Sequence, residues 1–146
     1  MECTVKWIEG GMSFVAETGS GHAFVIDGAP EAGGRNLGPR PLETVLAGTG
    51  ACTASDVVVI LKRNGQEVTG CRVDLKAERA ATDPKVFTKI HMHFVVRGRN
   101  LKPSFVESAI KLSHNKYCSA SAMLGKTALI THAHEIVEEG HSPPGP

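Results

Sequence analysis

Apolar and polar positions alternate over residues 2–8, with Cys3, Val5 and Trp7 on one face and Glu2, Thr4 and Lys6 on the other. A period of two predicts a half-buried strand. Gly10-Gly11 turns the chain into a second short strand over 13–17, and Gly19-Ser20-Gly21 leads into a third over 22–27. Three short strands at this spacing predict an antiparallel meander. Residues 28–41, rich in Gly and Pro, read as a loop that carries Arg35 and Arg40. Pro41 suits the first position of a helix and Glu43 its first turn. That helix is predicted over 42–63, closed by Asn64-Gly65.

Alternation returns at 71–78, where Cys71, Val73, Leu75 and Ala77 face inward, and again at 86–96. There Val86, Ile90, Met92, Phe94 and Val96 form the apolar face, and Gly98 is expected to end the strand. Pro103 opens a helix predicted through Tyr117, striped by Phe105, Val106, Ala109, Ile110 and Leu112. A shorter helix over 119–126 and a last strand over 131–137 follow. The order βββ-α-ββ-αα-β implies an α+β fold built on antiparallel sheets, with one domain over 1–138. Residues 139–146 read as a flexible polar tail.

The chain has 146 residues, enough to bury a core without disulfide staples. A net charge of +1, one Trp and one Tyr give no basic, aromatic surface for nucleic acid and no attraction to an anionic membrane. The start, Met1-Glu2-Cys3-Thr4-Val5-Lys6, lacks a signal-peptide profile, and no apolar run reaches the roughly 20 residues that span a bilayer. A cytoplasmic location is therefore expected, where four cysteines read as reduced, metal-binding or redox-active thiols.

Within the first helix, Gly48 and Gly50 each cost about 1 kcal/mol relative to Ala. Close packing against another helix accounts for both, and a small-residue seam suits a symmetric copy, so a homodimer is expected. Cys52 lies in that seam and on its own fits a small buried hydrophobe. Cys3 and Cys71, on apolar strand faces, read as core residues. No C-x-x-C occurs, which removes the commonest zinc and thioredoxin patterns. His91 with His93, and His132 with His134, share strand faces in pairs, but His91 and His93 alternate with core positions and read as solvent-facing; no metal is expected. Gly125-Lys126-Thr127 lacks the first glycine and preceding strand of a phosphate loop, and Gly48-x-Gly50 lacks the third glycine of a dinucleotide fingerprint. Asp56, one turn beyond Cys52, either steers protons beside a reactive thiol or satisfies a hydroxyl or backbone group across the seam.

The segment Pro41-Leu42-Glu43-Thr44-Val45-Leu46-Ala47-Gly48-Thr49-Gly50-Ala51-Cys52 resembles the P-x-E-x-(L)-(L)-A-x-x-x-A-C helix start of the OsmC/Ohr family. Tyr117-Cys118-Ser119-Ala120-Ser121-Ala122-Met123-Leu124 resembles its second motif, C-P-x-S-x-x-L. The element order also matches, so the resemblance covers nearly the whole chain. It implies an intertwined homodimer whose two long central helices pack between sheets. It also implies that Cys52 and Cys118 come together as a thiol pair. By the same resemblance, Cys52 attacks an organic hydroperoxide and Cys118 resolves the sulfenic acid into a disulfide. An external dithiol such as dihydrolipoamide reduces the enzyme, and no bound cofactor is expected.

The peroxidatic branches of the family hold an arginine near the nucleophile through a glutamate directly after the motif's proline. Leu42 stands at that position here, and Glu43 lies roughly opposite Cys52 around a continuous helix. The resemblance makes Arg35 the first choice for the arginine, with Arg40 a competitor. Ser119 replaces the family's proline after the second cysteine. Three functions follow as expectations: a thiol-dependent organic hydroperoxide reductase in oxidative-stress defence, a non-catalytic dimer binding a small hydrophobic or electrophilic ligand, or a thiol redox sensor.

Overall fold

The computed structural model describes residues 1–140 and shows two three-stranded sheets and three helices. The chain forms two compact units, the first Met1–Ala47 and the second beginning at Gly48. In the first unit, β1 (Cys3–Ile8), β2 (Ser13–Thr18) and β3 (Ala23–Ile26) form the expected antiparallel meander, in the order β1-β2-β3. Every residue of β1 is exposed, which corrects the half-buried expectation. This edge strand leaves Val5 and Trp7 each 57% accessible, and Cys3 is likewise exposed rather than part of a core.

The loop that follows is organised by one buried carboxylate. Asp27 accepts hydrogen bonds from the Ser13 hydroxyl at 3.0 Å and from the backbone N–H groups of Gly28, Arg35 and Leu37 at 2.7, 3.2 and 3.1 Å. Burial pushes its pKa up, but hydrogen bonds from Leu37, Gly28, Ser13 and Arg35 together outweigh it and hold the carboxyl below its ordinary range. Residues 28–40 therefore take a defined path, with a 3₁₀ turn at Pro30–Ala32.

Helix α1 (Pro41–Arg63) starts where Pro41 predicts. Glu43 accepts the Arg40 N–H at 2.9 Å, so its carboxylate satisfies an orphan donor at the helix start. The helix stops before Gly65, whose φ of 70° is the left-handed turn expected there. Thr49, Gly50, Thr53, Val57 and Leu61 are its buried residues. By length and composition alone, α1 is apolar enough to cross a bilayer, with 28% of its apolar window buried. This corrects the expectation that no segment was long enough: the mildly apolar Ala47, Ala51, Cys52 and Ala54 before Asp56 extend the run Val57 to Leu61 beyond it.

In the second unit, β4 (Glu67–Arg79), β5 (Phe87–Arg99) and β6 (Leu129–Glu138) form a sheet with β5 in the centre. β4 and β5 are antiparallel, but β5 and β6 are parallel, which corrects the all-antiparallel expectation. A parallel pair needs a long crossover, and the helical segment between residues 99 and 129 supplies it. β5 continues through Gly98 because its ladder does, pairing Gly98 with Val68 on one side and Glu138 on the other. Ile90, Met92, Phe94 and Val96 are fully buried as expected. Val86, in contrast, is 38% exposed and Phe87 takes the inward position. A register shift between Glu78 and Arg79 changes the phase there.

The crossover consists of α2 (Pro103–Leu112), a π turn (Ser113–Tyr117) and α3 (Ser119–Leu124). The expected helix to Tyr117 thus loses its regular winding at Ser113, and the second helix ends at Leu124 rather than Lys126. Val106, Ala109 and Ile110 are buried, whereas Leu112 is exposed. Of the expected tail, Glu139 donates its N–H to Gly98, and residues 141–146 lie outside the described residues.

Candidate thiol site

Gly50 lets α1 approach the sheet. A Cβ at this position would lie 2.7 Å from Leu75 Cδ1, so β4 rather than a second helix explains this glycine. Gly48 has open space where its side chain would be. One turn of α1 places Cys52 and Asp56 on the same side of the helix. The crossover brings in Cys118, which follows the π turn and caps α3, its sulfur accepting the Ser121 N–H at 3.4 Å. The Cys52 and Cys118 sulfurs and a carboxylate oxygen of Asp56 all lie within 4.8 Å of one another. Residues 66 positions apart in sequence thus meet.

A chain of hydroxyl groups fixes this arrangement. Ser113, first residue of the π turn, donates to Asp56 Oδ2 at 2.9 Å. With that proton committed, Thr53 Oγ1 donates to Ser113 Oγ at 2.9 Å in a buried pair. Asp56 therefore satisfies a hydroxyl, the second of the two roles the sequence allowed it, although the hydroxyl comes from the crossover. Neither Thr53 nor Ser113 was singled out in the sequence. The only signal was a pair of small hydroxyl residues beside, and five positions before, the two cysteines. π turns recur at functional sites because they re-aim backbone and side chains.

The two cysteines differ in environment. Cys52 is half-buried and Cys118 is buried. Burial pushes the Cys118 thiol pKa up, hydrogen bonding from Ser121 pulls it down, and the neighbouring Cys52 pushes it up again; the net shift is upward. Cys118 thus holds its proton while the more accessible Cys52 meets solvent. Cys71 is half-buried, and burial raises its thiol pKa too. Beside Asp56 opens a cleft of about 470 Å³, lined also by Val59, Ile60, Arg63, Asn64, Leu112 and Tyr117.

Arg35 belongs to the first unit. Its backbone N–H donates to Asp27, its side chain lies against Gly11, and among the described residues its guanidinium makes no hydrogen bond. The Arg40 guanidinium is bound within its own loop, to Asn36 Oδ1 at 2.9 Å and the Gly38 carbonyl at 3.3 Å. Glu43 is occupied at the helix start, as above, and Leu42 is half-buried.

The histidine pairs lie on opposite faces of their sheet. His132 is paired with Met92, on the buried side, while His91 is exposed on the other. The His132 ring packs edge-on against His114 at 4.5 Å. Burial first, then electrostatic interaction with His114 and His91, lower the His132 pKa to about 4.

A family model for OsmC-like proteins matches residues 33–133. Protein YhfA of Escherichia coli K12 is 44% identical over 137 residues, which are 94% of this chain and 98% of that protein. A crystal structure of a hypothetical protein from Aquifex aeolicus superposes with a TM-score of 0.82 at 28% identity, covering 95% of this chain and 97% of that one. The organic hydroperoxide resistance protein OhrB of Bacillus subtilis shares the fold at 19% identity, with a TM-score of 0.62 over 92% of this chain and 96% of that one. The chain belongs to the OsmC-like family.

Proposed function

We propose that the chain is a homodimeric thiol peroxidase that reduces organic hydroperoxides through Cys52 and Cys118. The observation that carries this reading is the approach of the two sulfurs to within 4.8 Å, one half-buried and one buried. The Cys52 thiolate attacks the distal oxygen of the hydroperoxide, the O–O bond breaks, and the alkoxide leaves as the alcohol after taking a proton. Cys52 is now a sulfenic acid. The Cys118 sulfur attacks it, hydroxide leaves as water with the Cys118 proton, and a Cys52–Cys118 disulfide remains. A carboxylate oxygen of Asp56 lies within 4.8 Å of both sulfurs, near enough to relay that proton through one water. An external dithiol such as dihydrolipoamide then reduces the disulfide, so no bound cofactor is needed.

Val59, Ile60, Leu112 and Tyr117 give the adjoining cleft an apolar wall, which favours an alkyl chain over hydrogen peroxide. Arg35 is proposed to supply the cation that favours the Cys52 thiolate, since Arg40 is held within its loop. The organic hydroperoxide resistance protein with the same fold supports this reaction class. Leu42 favours a second reading, in which the dimer binds a hydrophobic or electrophilic ligand in the cleft without turning it over. Steady-state reduction of cumene hydroperoxide by dihydrolipoamide separates the two. Turnover that disappears in both Cys52→Ser and Cys118→Ser supports the peroxidase; ligand binding without turnover supports the alternative.

A further inference from the structure

We propose that the reduced site binds one divalent cation of the zinc class, held by the Cys52 and Cys118 thiolates and the Asp56 carboxylate. This inference goes beyond the peroxidase reading and does not require it. Two sulfurs and one carboxylate oxygen already lie within 4.8 Å of one another. Zinc bonds of about 2.3 Å to sulfur and 2.0–2.2 Å to oxygen, arranged tetrahedrally, put ligand atoms about 3.5–3.8 Å apart. Closure by at most about 1.0–1.3 Å, within the reach of side-chain rotation, completes the set.

The carboxylate is aimed in advance. Ser113 holds Oδ2 at 2.9 Å and is itself held by Thr53, which leaves Oδ1 with no hydrogen bond among the described residues. Orientation of a ligand through its second oxygen is how metal sites fix their carboxylates. Asp56 also borders the cleft, which gives the ion an entry path and leaves water a fourth coordination position. Two soft thiolates select zinc over magnesium or calcium, which prefer oxygen ligands. Each thiol gives up its proton on binding, so two protons leave per ion. The disulfide form offers no thiolate, and metal occupancy and oxidation exclude one another.

The test uses the full chain, reduced and metal-free under anaerobic conditions, titrated with Co²⁺ as the spectroscopic probe. The expected result is one Co²⁺ per chain with thiolate-to-cobalt charge transfer and tetrahedral visible bands, release of two protons, and displacement by Zn²⁺. Cys52→Ser and Cys118→Ser should lose this spectrum, whereas a Cys3→Ser/Cys71→Ser double variant should retain it. Asp56→Ala should weaken binding more than tenfold, and Ser113→Ala by about 10–100-fold, each with an unchanged far-ultraviolet circular dichroism spectrum. Failure to saturate at one ion per chain overturns the proposal. So does a Cys118→Ser or Asp56→Ala variant that binds as the parent does. Hydroperoxide consumption by metal-free protein is a separate reading, so an inactive peroxidase leaves the cobalt result intact.

Discussion

Thr53 Oγ1 and Ser113 Oγ lie 2.9 Å apart and buried, joining the residue after Cys52 to the first residue of the π turn that delivers Cys118. This contact ties the central helix to the crossover at the thiols. Removing the Ser113 hydroxyl strands the buried Thr53 donor and loosens Asp56. Ser113→Ala is expected to lower stability by about 1–3 kcal/mol and to slow closure of the Cys52–Cys118 disulfide after oxidation. Denaturant midpoints and single-turnover disulfide formation measure the two. An unchanged closure rate would confine Ser113 to a role in stability.

Leu42 stands where the peroxidatic branches of the family carry a glutamate. An arginine without such a tether loses up to about 2 kcal/mol of rotamer freedom each time it orders, and each 1.36 kcal/mol is tenfold in rate. Leu42→Glu is expected to raise the second-order rate of Cys52 oxidation by cumene hydroperoxide about tenfold, and to do so only while Arg35 is present. In an Arg35→Ala background the gain should vanish. An equal gain in both backgrounds removes Arg35 from the mechanism.

Gly48 and Gly50 separate fold from assembly. Gly50→Leu forces a side chain into Leu75 and is expected to cost about 1–3 kcal/mol through overpacking. Gly48→Ala meets nothing within 4 Å and adds about 1 kcal/mol of helix propensity. Gly48 is exposed, so Gly48→Leu points a side chain outward, where it would obstruct a helix packed closely across that face. Sedimentation equilibrium should show a dimer weakened at least tenfold by Gly48→Leu. An equally tight dimer places the interface elsewhere.

His132 makes stability depend on pH with a defined sign. Its pKa is about 4 in the folded chain and about 6.5 unfolded. Below about 6.5 the unfolded chain takes up a proton that the folded chain refuses, so stability falls as pH drops toward 4 and is retained above 6.5. His132→Gln should flatten the melting temperature between pH 6.5 and 4. The same slope in both proteins would assign the acid sensitivity to other groups.

The sequence revealed the elements more fully than their surroundings. Alternation located Cys71, Val73, Leu75 and Ala77 on the inward face, and Pro41 and Gly65 bracketed the central helix. Alternation cannot say whether anything covers a strand, which is why Cys3 and Trp7 read as buried and are exposed. Nor does it reveal strand direction: β6 runs parallel to β5 because of the crossover before it. Cys52 and Cys118 were legible through their two motifs. Ser113 was not, because the π turn starts just after the apolar stripe, inside a segment that reads as uninterrupted helix.

The most direct measurement mixes reduced protein rapidly with one equivalent of cumene hydroperoxide, or of hydrogen peroxide, and counts thiols before mapping disulfide-linked peptides. Two thiols per chain should be lost, faster with cumene hydroperoxide, with Cys52 and Cys118 joined and Cys3 and Cys71 still reduced. In Cys118→Ser, Cys52 should remain as sulfenic acid, passing to sulfinic acid only when a second equivalent is added. Unconsumed thiols, or first oxidation at Cys118 with Cys52 untouched, would contradict the peroxidase mechanism.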